Sequence, residues 1–349
     1  MNWKCLLLLS GLGFGLSLPV FAQRSNQSDQ VDSDYVADFP EIASARVGVA
    51  QRYFNFNLKS KVDPGKKVFY APNVRGTYGI GVYYRKLGLE FSVGLPAGDR
   101  ENTLFGKTKS FDFQINSYGQ KLGYDVSFQS YRGFYQKNPR EFDTQWSVIR
   151  GYPQRADLRA LNAGLNVYYI FNQSRFSYQA AFNQTERQLR SAGSPLLLGS
   201  LFHSHLRSDS TLYPVSGATP QGIAFEDGSF NILAFAPGYV HTFVLNKDFY
   251  VSPSLFWGLA LRQQAYRVDG RYQSGLDVGQ KVNFRLAAGY YGRKTFAGIN
   301  VVLDNNRMDL ENVRLKTSGV NIKFFAGYRF NRIFSHNVQN KTLDKLLTR

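Results

Sequence analysis

The feature that most restricts this chain is a hydrophobic period of two, sustained over stretches longer than an ordinary strand. Leu87, Leu89, Phe91, Val93 and Leu95 alternate with Gly88, Glu90, Ser92 and Gly94. Leu122, Tyr124, Val126 and Phe128 alternate with Gly123, Asp125, Ser127 and Gln129. The same pattern runs through Phe111–Asn116, Leu161–Phe171, Val282–Tyr290 and Val320–Phe330. Successive strand side chains point to opposite faces, so each segment carries one apolar and one polar surface. The segments predicted in this way run to about 9–19 residues, against a usual strand of ~5–6.

A soluble β-sandwich also alternates, because one face packs on a core. Three features favour a membrane barrel. The strands are long. Tyr and Phe ring the apolar faces near strand ends, at Tyr78, Tyr84, Tyr169, Tyr250 and Tyr328, where amphipathic aromatics suit a membrane–water interface. The polar faces are rich in Gly, Asn, Ser and Gln, which suits a wet lumen. With 19% charged residues and 43% hydrophobic ones there is ample material for a core, so general disorder is excluded. Beyond the first 22 residues no stretch approaches the ~18 apolar residues of a membrane helix.

Connection lengths predict closure. Tight turns are expected at Arg85-Lys86, Gly119-Gln120, Asn172-Gln173-Ser174, Asn246-Lys247-Asp248 and Gly292-Arg293-Lys294, and long loops at 60–73, 96–106, 133–156, 188–228, 268–279 and 305–314. Short and long alternate, as periplasmic turns and extracellular loops do in outer-membrane barrels of even strand number. The expectation is therefore all-β: a closed antiparallel transmembrane β-barrel of about 12 strands. If Leu196–Leu206 is a further strand with a partner, the count becomes about 14. Closure has a physical cause, since hydrocarbon offers no partner to an open sheet edge. Pro237 and Pro253 cannot donate to a ladder and are expected near strand ends or bulges.

Met1–Lys4 is a short basic start, Cys5–Val20 is apolar and Gly-rich, and Val20-Phe21-Ala22 has the small residues of a cleavage site. Residues 1–22 thus read as a signal peptide, which implies secretory export to the outer membrane of a Gram-negative cell. Residues 23–45 read as an acidic periplasmic lead-in, 46–330 as the barrel and 331–349 as a basic tail. Cys5 is the one cysteine, so a disulfide framework is excluded.

Several stretches resemble a known family. They are Arg175–Gln184, Ser191–Ser194, Asp209–Pro214, Tyr169–Asn172, Lys107-Thr108-Lys109 ahead of Phe111-Asp112, Asp34-Tyr35 to Phe39, and Tyr328–Phe330. The family is the domain of unknown function 4421, and the resemblance covers most of residues 34–330. It implies an outer-membrane barrel of Bacteroidota. It carries no assigned activity, so no functional residue transfers. Family members stop near the final aromatic, whereas this chain continues past Phe330 as the basic tail.

By alternation Glu90, Asp112 and Asp125 face the lumen from early strands, and Arg262, Arg285, Lys323 and Arg329 from late ones. These charges suit either a constriction that selects solutes by charge or a salt-bridge network that fills the interior. The network is the preferred reading, because about twelve strands lie between filled barrels of ~8 and open porins of ~16–18. The loop 133–156 interleaves Phe134, Tyr135 and Trp146 with Lys137, Arg140 and Arg150. That mixture suits sugars or lipopolysaccharide phosphates, or a loop packed on its own rim. His203 and His205 share a strand face but lack a completing Cys or close carboxylate, so no metal or cofactor is expected. Ser204 between them stands in no Gly-x-Ser-x-Gly elbow. Gly79 and Gly81 face inward, where they relieve crowding or permit bends. The formal charge of +17 fits an anionic membrane surface; export and alternation argue against nucleic acid. Expected partners are outer-membrane lipid and lipopolysaccharide, the barrel-assembly machinery, and a small solute or envelope protein. The preferred function is a non-enzymatic narrow channel or transport pore, with a docking or glycan-binding barrel as the alternative and a barrel hydrolase third.

Overall fold

Long alternating segments become long strands. The computed structural model describes residues 31–330 apart from 39–42, 64, 85–86, 96, 213–224 and 269. The expected signal peptide, the lead-in up to Gln30, the Arg85-Lys86 turn and the tail 331–349 lie outside the described residues.

The strands in chain order are β1 (Val36–Asp38), β2 (Ala43–Ser60), β3 (Lys67–Ala71), β4 (Thr77–Tyr84), β5 (Leu87–Gly94), β6 (Lys109–Tyr118), β7 (Leu122–Gln136), β8 (Gln154–Ile170), β9 (Glu186–Gln188), β10 (Ala192–Arg207), β11 (Phe225–Leu245), β12 (Phe249–Val268), β13 (Arg271–Tyr291), β14 (Thr295–Asp309) and β15 (Val313–Phe330). Two short helices, α1 (Asp99–Phe105) and α2 (Tyr178–Phe182), interrupt them.

Among the described residues twelve strands close a ring, β2-β4-β5-β6-β7-β8-β10-β11-β12-β13-β14-β15, and β15 returns to β2 from Phe330↔Ala43 to Val313↔Ser60. Every pairing is antiparallel. β3 extends the sheet at the extracellular end between β2 and β7. β1 and β9 form a separate two-stranded sheet. Outward residues such as Val47, Ile80, Leu89, Phe235, Trp257, Leu259 and Phe324 are exposed, which gives the wall an apolar belt. A closed ladder with a greasy exterior is the architecture of an outer-membrane β-barrel.

The count of twelve holds, but one of its strands is not where the turn pattern places it. The chain does not make a tight turn at 172–174 followed by a strand. Ile170 pairs with Leu196, and the chain between them enters the barrel from the periplasmic end as an insert holding α2 and β9. The strand after β8 is β10, which contains Leu196–Leu206. All five residues of α2 are buried in the insert, and Ser177 Oγ caps the first turn by accepting from Ala180 N at 2.9 Å.

Two expected long loops are also corrected. Residues 268–279 and 305–314 are mostly ladder: β12 pairs with β13 out to Val268↔Arg271, and β14 with β15 out to Asp309↔Arg314. In 305–314 the outward residues Asn305, Arg307 and Arg314 are polar and hid the extension; in 268–279 the outward Tyr272, Leu276 and Val278 continue the alternation. Pro237 and Pro253 lie inside β11 and β12 rather than at strand ends; each falls where the β11–β12 register skips residues, and on its other side stands opposite Leu197 or Leu286. Tyr250 is 1% exposed and points inward, not into an interfacial ring; Tyr78, Tyr169 and Tyr328 are exposed as expected.

The interior has three layers. At the extracellular end Phe54, Phe56, Leu58, Tyr70, Leu158, Phe225, Phe230 and Leu315 belong to a buried apolar cluster built largely from wall strands. At the periplasmic end Phe176, Tyr178 and Phe182 of the insert pack with Tyr168, Tyr250, Phe256 and Tyr291 of the wall. A polar layer lies between.

Candidate functional site

The polar layer surrounds a cavity of about 220 Å³. Phe54, Tyr131 and Phe202 border it from the extracellular cluster side, and Tyr118 and Phe182 from the periplasmic one. Asn162, Asn166, Asn283, Asn300 and Asn321 supply much of the polar lining.

The charges in and near this layer are buried and paired. Glu90 accepts from Arg46 at 2.8 Å, from Lys323 Nζ at 2.6 and 2.7 Å, and from the Tyr83 hydroxyl at 3.2 Å. Register explains the first contact. Arg46 pairs with Gly81 and Gly81 with Glu90, so one glycine separates the two charges along a row. A Cβ on Gly81 would stand 2.9 Å from the Tyr83 ring and 3.2 Å from Arg46 Cγ, so this glycine does relieve crowding. Arg46 also stacks on Tyr83 and Phe325, at 4.3 and 4.7 Å from the ring centroids.

A second group spans the lumen. Arg285 on β13 donates to Asp125 on β7 at 2.9 Å, five strands away around the ring. Asp125 also accepts from the Tyr168 hydroxyl at 2.9 Å and from Tyr118, and Arg285 lies 4.8 Å from the Tyr168 ring centroid. Asp112 accepts from Gln129 at 2.6 Å. Arg262 pairs with Asp277 at 3.2 Å and donates to Gln280 O at 3.0 Å.

Arg329 reaches the insert, donating to Gln184 O at 2.9 Å and to Gly292 O at 2.5 Å. Of the seven residues singled out by alternation six are buried and Asp125 is half-buried, but they fall into separate groups and form no single charged ring. Alternation missed Arg46, Lys281 and Asp304; Lys281 donates to Asp304 at 2.6 and 2.8 Å. Extending the Asn283–Arg285 alternation back to Lys281 would have found the second of these.

Insert and wall are joined by hydrogen bonds onto insert carbonyls. The Tyr250 hydroxyl donates to Ala181 O and that of Tyr291 to Ala180 O, each at 2.8 Å. Gln184 donates to the Tyr250 hydroxyl at 2.8 Å. The N-terminal segment holds the insert from below. β1 pairs with β9, Gln188 donates to Tyr35 O at 3.1 Å, and Arg175 and Arg190 lie 5.1 and 5.7 Å from the Tyr35 ring centroid.

The loop patch divides. Phe134 is buried against Phe54 and Phe56, with centroids at 6.4 and 5.7 Å. Tyr135 packs on Phe105 at 4.8 Å, and Trp146 on Tyr152 at 4.8 Å. Trp146 Nε1 donates to Gly151 O at 2.9 Å. Arg140 lies 5.8 Å from the Trp146 ring centroid, and Lys137 and Arg150 are exposed. Nearby, Glu101 of α1 accepts from Arg75 and from Gly98 N, and the Arg75 hydrogen bond holds its carboxyl below the ordinary range.

His203 bonds Asn231 at 2.8 Å and His205 bonds Asp227 at 3.1 Å, both facing outward, whereas Ser204 faces inward and donates to Asn162 at 2.8 Å. Among the described residues no group of three His, Cys, Asp or Glu is placed to hold a metal.

Comparison with known proteins places the chain in a family. A family model, the domain of unknown function DUF4421, matches residues 30–330. The chain belongs to that family. Among curated proteins nothing matches. Solved structures similar to this DUF4421 chain include the outer membrane protease OmpT from Escherichia coli, at 8% identity and TM-score 0.37, covering 83% of this chain and 97% of that one. The toluene transporter TodX of Pseudomonas putida gives 9% identity and TM-score 0.27, covering 84% and 90%. The translocator domain of autotransporter NalP from Neisseria meningitidis gives 9% and 0.33, covering 87% and 91%. The barrel assignment rests on this chain's own ladder rather than on these likenesses.

Proposed function

We propose that this DUF4421 protein is a closed, non-enzymatic outer-membrane barrel that acts as a docking or structural element of the envelope. One observation carries the reading: the lumen is filled by an apolar cluster at each end, with a salt bridge across it between them. Water and ions do not cross well-packed apolar layers. The extracellular cluster belongs largely to the wall, so it cannot swing aside as a loop would. The periplasmic insert, laced to the N-terminal segment, offers a built surface on the periplasmic side. The opposite orientations of Ser204 and the two histidines support a non-enzymatic role.

Reconstitution in planar bilayers tests this. The full chain is expected to give no current steps, and so is a variant lacking 175–189, since the extracellular cluster remains. Purification from native membranes is expected to recover a stoichiometric partner that this deletion releases. Steady ohmic steps from the full chain would sink the reading.

A second reading, a gated transporter for small polar solutes, is favoured by the cavity. Among the described residues buried Asn162 Nδ2, Asn300 Oδ1 and Asn321 Oδ1 find no hydrogen-bond partner there. Conduction that appears only on deleting 175–189 would select this reading over docking.

A further inference from the structure

Almost every charge inside this barrel is paired, yet a row of four cations on its outer wall lacks an ion pair among the described residues. Lys109 on β6 is the cross-strand partner of Arg132 on β7, Arg132 of Arg159 on β8, and Arg159 of Arg207 on β10. All four are exposed; Arg132, Arg159 and Arg207 face outward because their chain neighbours Tyr131, Leu158, Ala160 and Leu206 are buried inside, and Lys109 shares that face as the cross-strand partner of Arg132. None of the four has an acidic partner within ion-pair distance among the described residues. Like charges directly opposite one another across strands repel and destabilise a sheet. Three successive repelling pairs call for a counter-ion from outside the chain.

The row's height identifies the counter-ion. Phe111, 41% exposed, and Leu161 face outward two residues below Lys109 and Arg159, at the upper edge of the apolar belt. Two residues on a strand rise about 6.6 Å, or ~5 Å vertically for a tilt of ~40°. That is the level of the headgroups, which add roughly 5–8 Å to each side of the hydrocarbon. Four neighbouring strands make the row about 14 Å wide, room for more than one phosphate.

Guanidinium groups match phosphate oxygens in a bidentate fork, and three of the four cations are Arg. The row ends at Asp227 on β11, the other cross-strand partner of Arg207, whose carboxylate is taken by His205 at 3.1 Å; further round the wall Arg314 and Arg307 share Asp309 at 2.6 and 2.7 Å. We infer that Lys109, Arg132, Arg159 and Arg207 form a binding site on the outer wall for the phosphate groups of an anionic outer-leaflet lipid such as lipid A.

The test uses the full chain in vesicles of phosphatidylcholine with or without bisphosphorylated lipid A. Lipid A is expected to raise the unfolding temperature and to co-purify with the protein. Arg132→Gln, Arg159→Gln and Arg207→Gln combined should bind lipid A roughly 100-fold more weakly, at about fivefold per cation.

In phosphatidylcholine alone the same variant should be as stable as the parent or more so, because repulsion is relieved; a merely structural role predicts the opposite. A control with Arg100→Gln, Arg271→Gln and Lys316→Gln removes equal charge at positions that are not cross-strand neighbours of one another and should retain binding. Equal loss in the control would reduce the effect to net charge and overturn the proposal. So would stabilisation by inorganic phosphate in detergent matching that of lipid A, or a triple variant that folds and keeps full lipid A affinity.

Discussion

The two ends of this barrel are shut by different means. At the extracellular end the wall seals itself: Phe56, Leu58, Leu158, Phe230 and Leu315 come from β2, β8, β11 and β15 and meet inside the ring. At the periplasmic end a separate piece of chain does the work, and the wall holds it through Tyr250, Tyr291 and Arg329 bonded to its carbonyls. A seal made of wall residues opens only with the fold, whereas a seal made of an inserted segment can loosen by itself. The contrast teaches that closure of one lumen can carry two local stabilities.

The strongest test of the contrast lies where wall and insert share a charge. Arg46 donates to Glu90 and, at 3.4 Å, to Phe182 O of the insert. Glu90→Ala leaves Arg46 and Lys323 without their counter-charge and is expected to destabilise the barrel by about 3–5 kcal/mol, read from reversible urea unfolding in lipid vesicles. It should loosen the insert as well, since Arg46 loses its anchor.

Leu58→Ala, in the wall-made seal, is expected to cost about 3 kcal/mol while leaving the insert no more open to trypsin. A matching rise in cleavage at Arg175 or Arg187 would break the comparison. Tyr250→Phe removes the hydroxyl that holds Ala181 O; about 1 kcal/mol of local stability should be lost, seen as faster tryptic cleavage of the insert with unchanged global unfolding.

The smallest effect concerns α1. Glu101 has a lowered folded-state pKa, so its contribution is present above the ordinary carboxylate pKa and lost as pH falls through the lowered value. Hydrogen exchange at Asn102 and Gly106 should rise in that acid window in the parent, and Glu101→Gln should flatten the response.

Much of the wall was legible. Alternation along β5, β7, β13 and β15 placed Leu89, Val282 and Phe324 outside and Glu90, Arg285 and Lys323 inside, because a pleated strand leaves no other choice. The insert was not legible as such. Its α2 is too short to establish a helical period, and it follows the aromatic end of β8 directly. Yet Arg175–Gln184, Asn172 and Ser194, among the residues that carried the family resemblance, are the ones that build and fasten it: Asn172 donates from Nδ2 to Gly193 O at 2.7 Å and from its amide to Ser194 Oγ at 2.9 Å. The loop patch was misread in part because composition cannot tell an aromatic that meets solvent from one that packs on Tyr152, as Trp146 does.

What the sequence determined by itself was the wall: two faces, their polarity and the need for closure, all consequences of a period of two in a medium without hydrogen-bond partners. Partnership was decided only by the tertiary structure. Which cation meets Glu90, whether Arg285 crosses the lumen to Asp125, and which arginines stand side by side facing outward depend on strand register and ring order. A local alternation carries neither, since both are set by contacts between residues far apart in the chain.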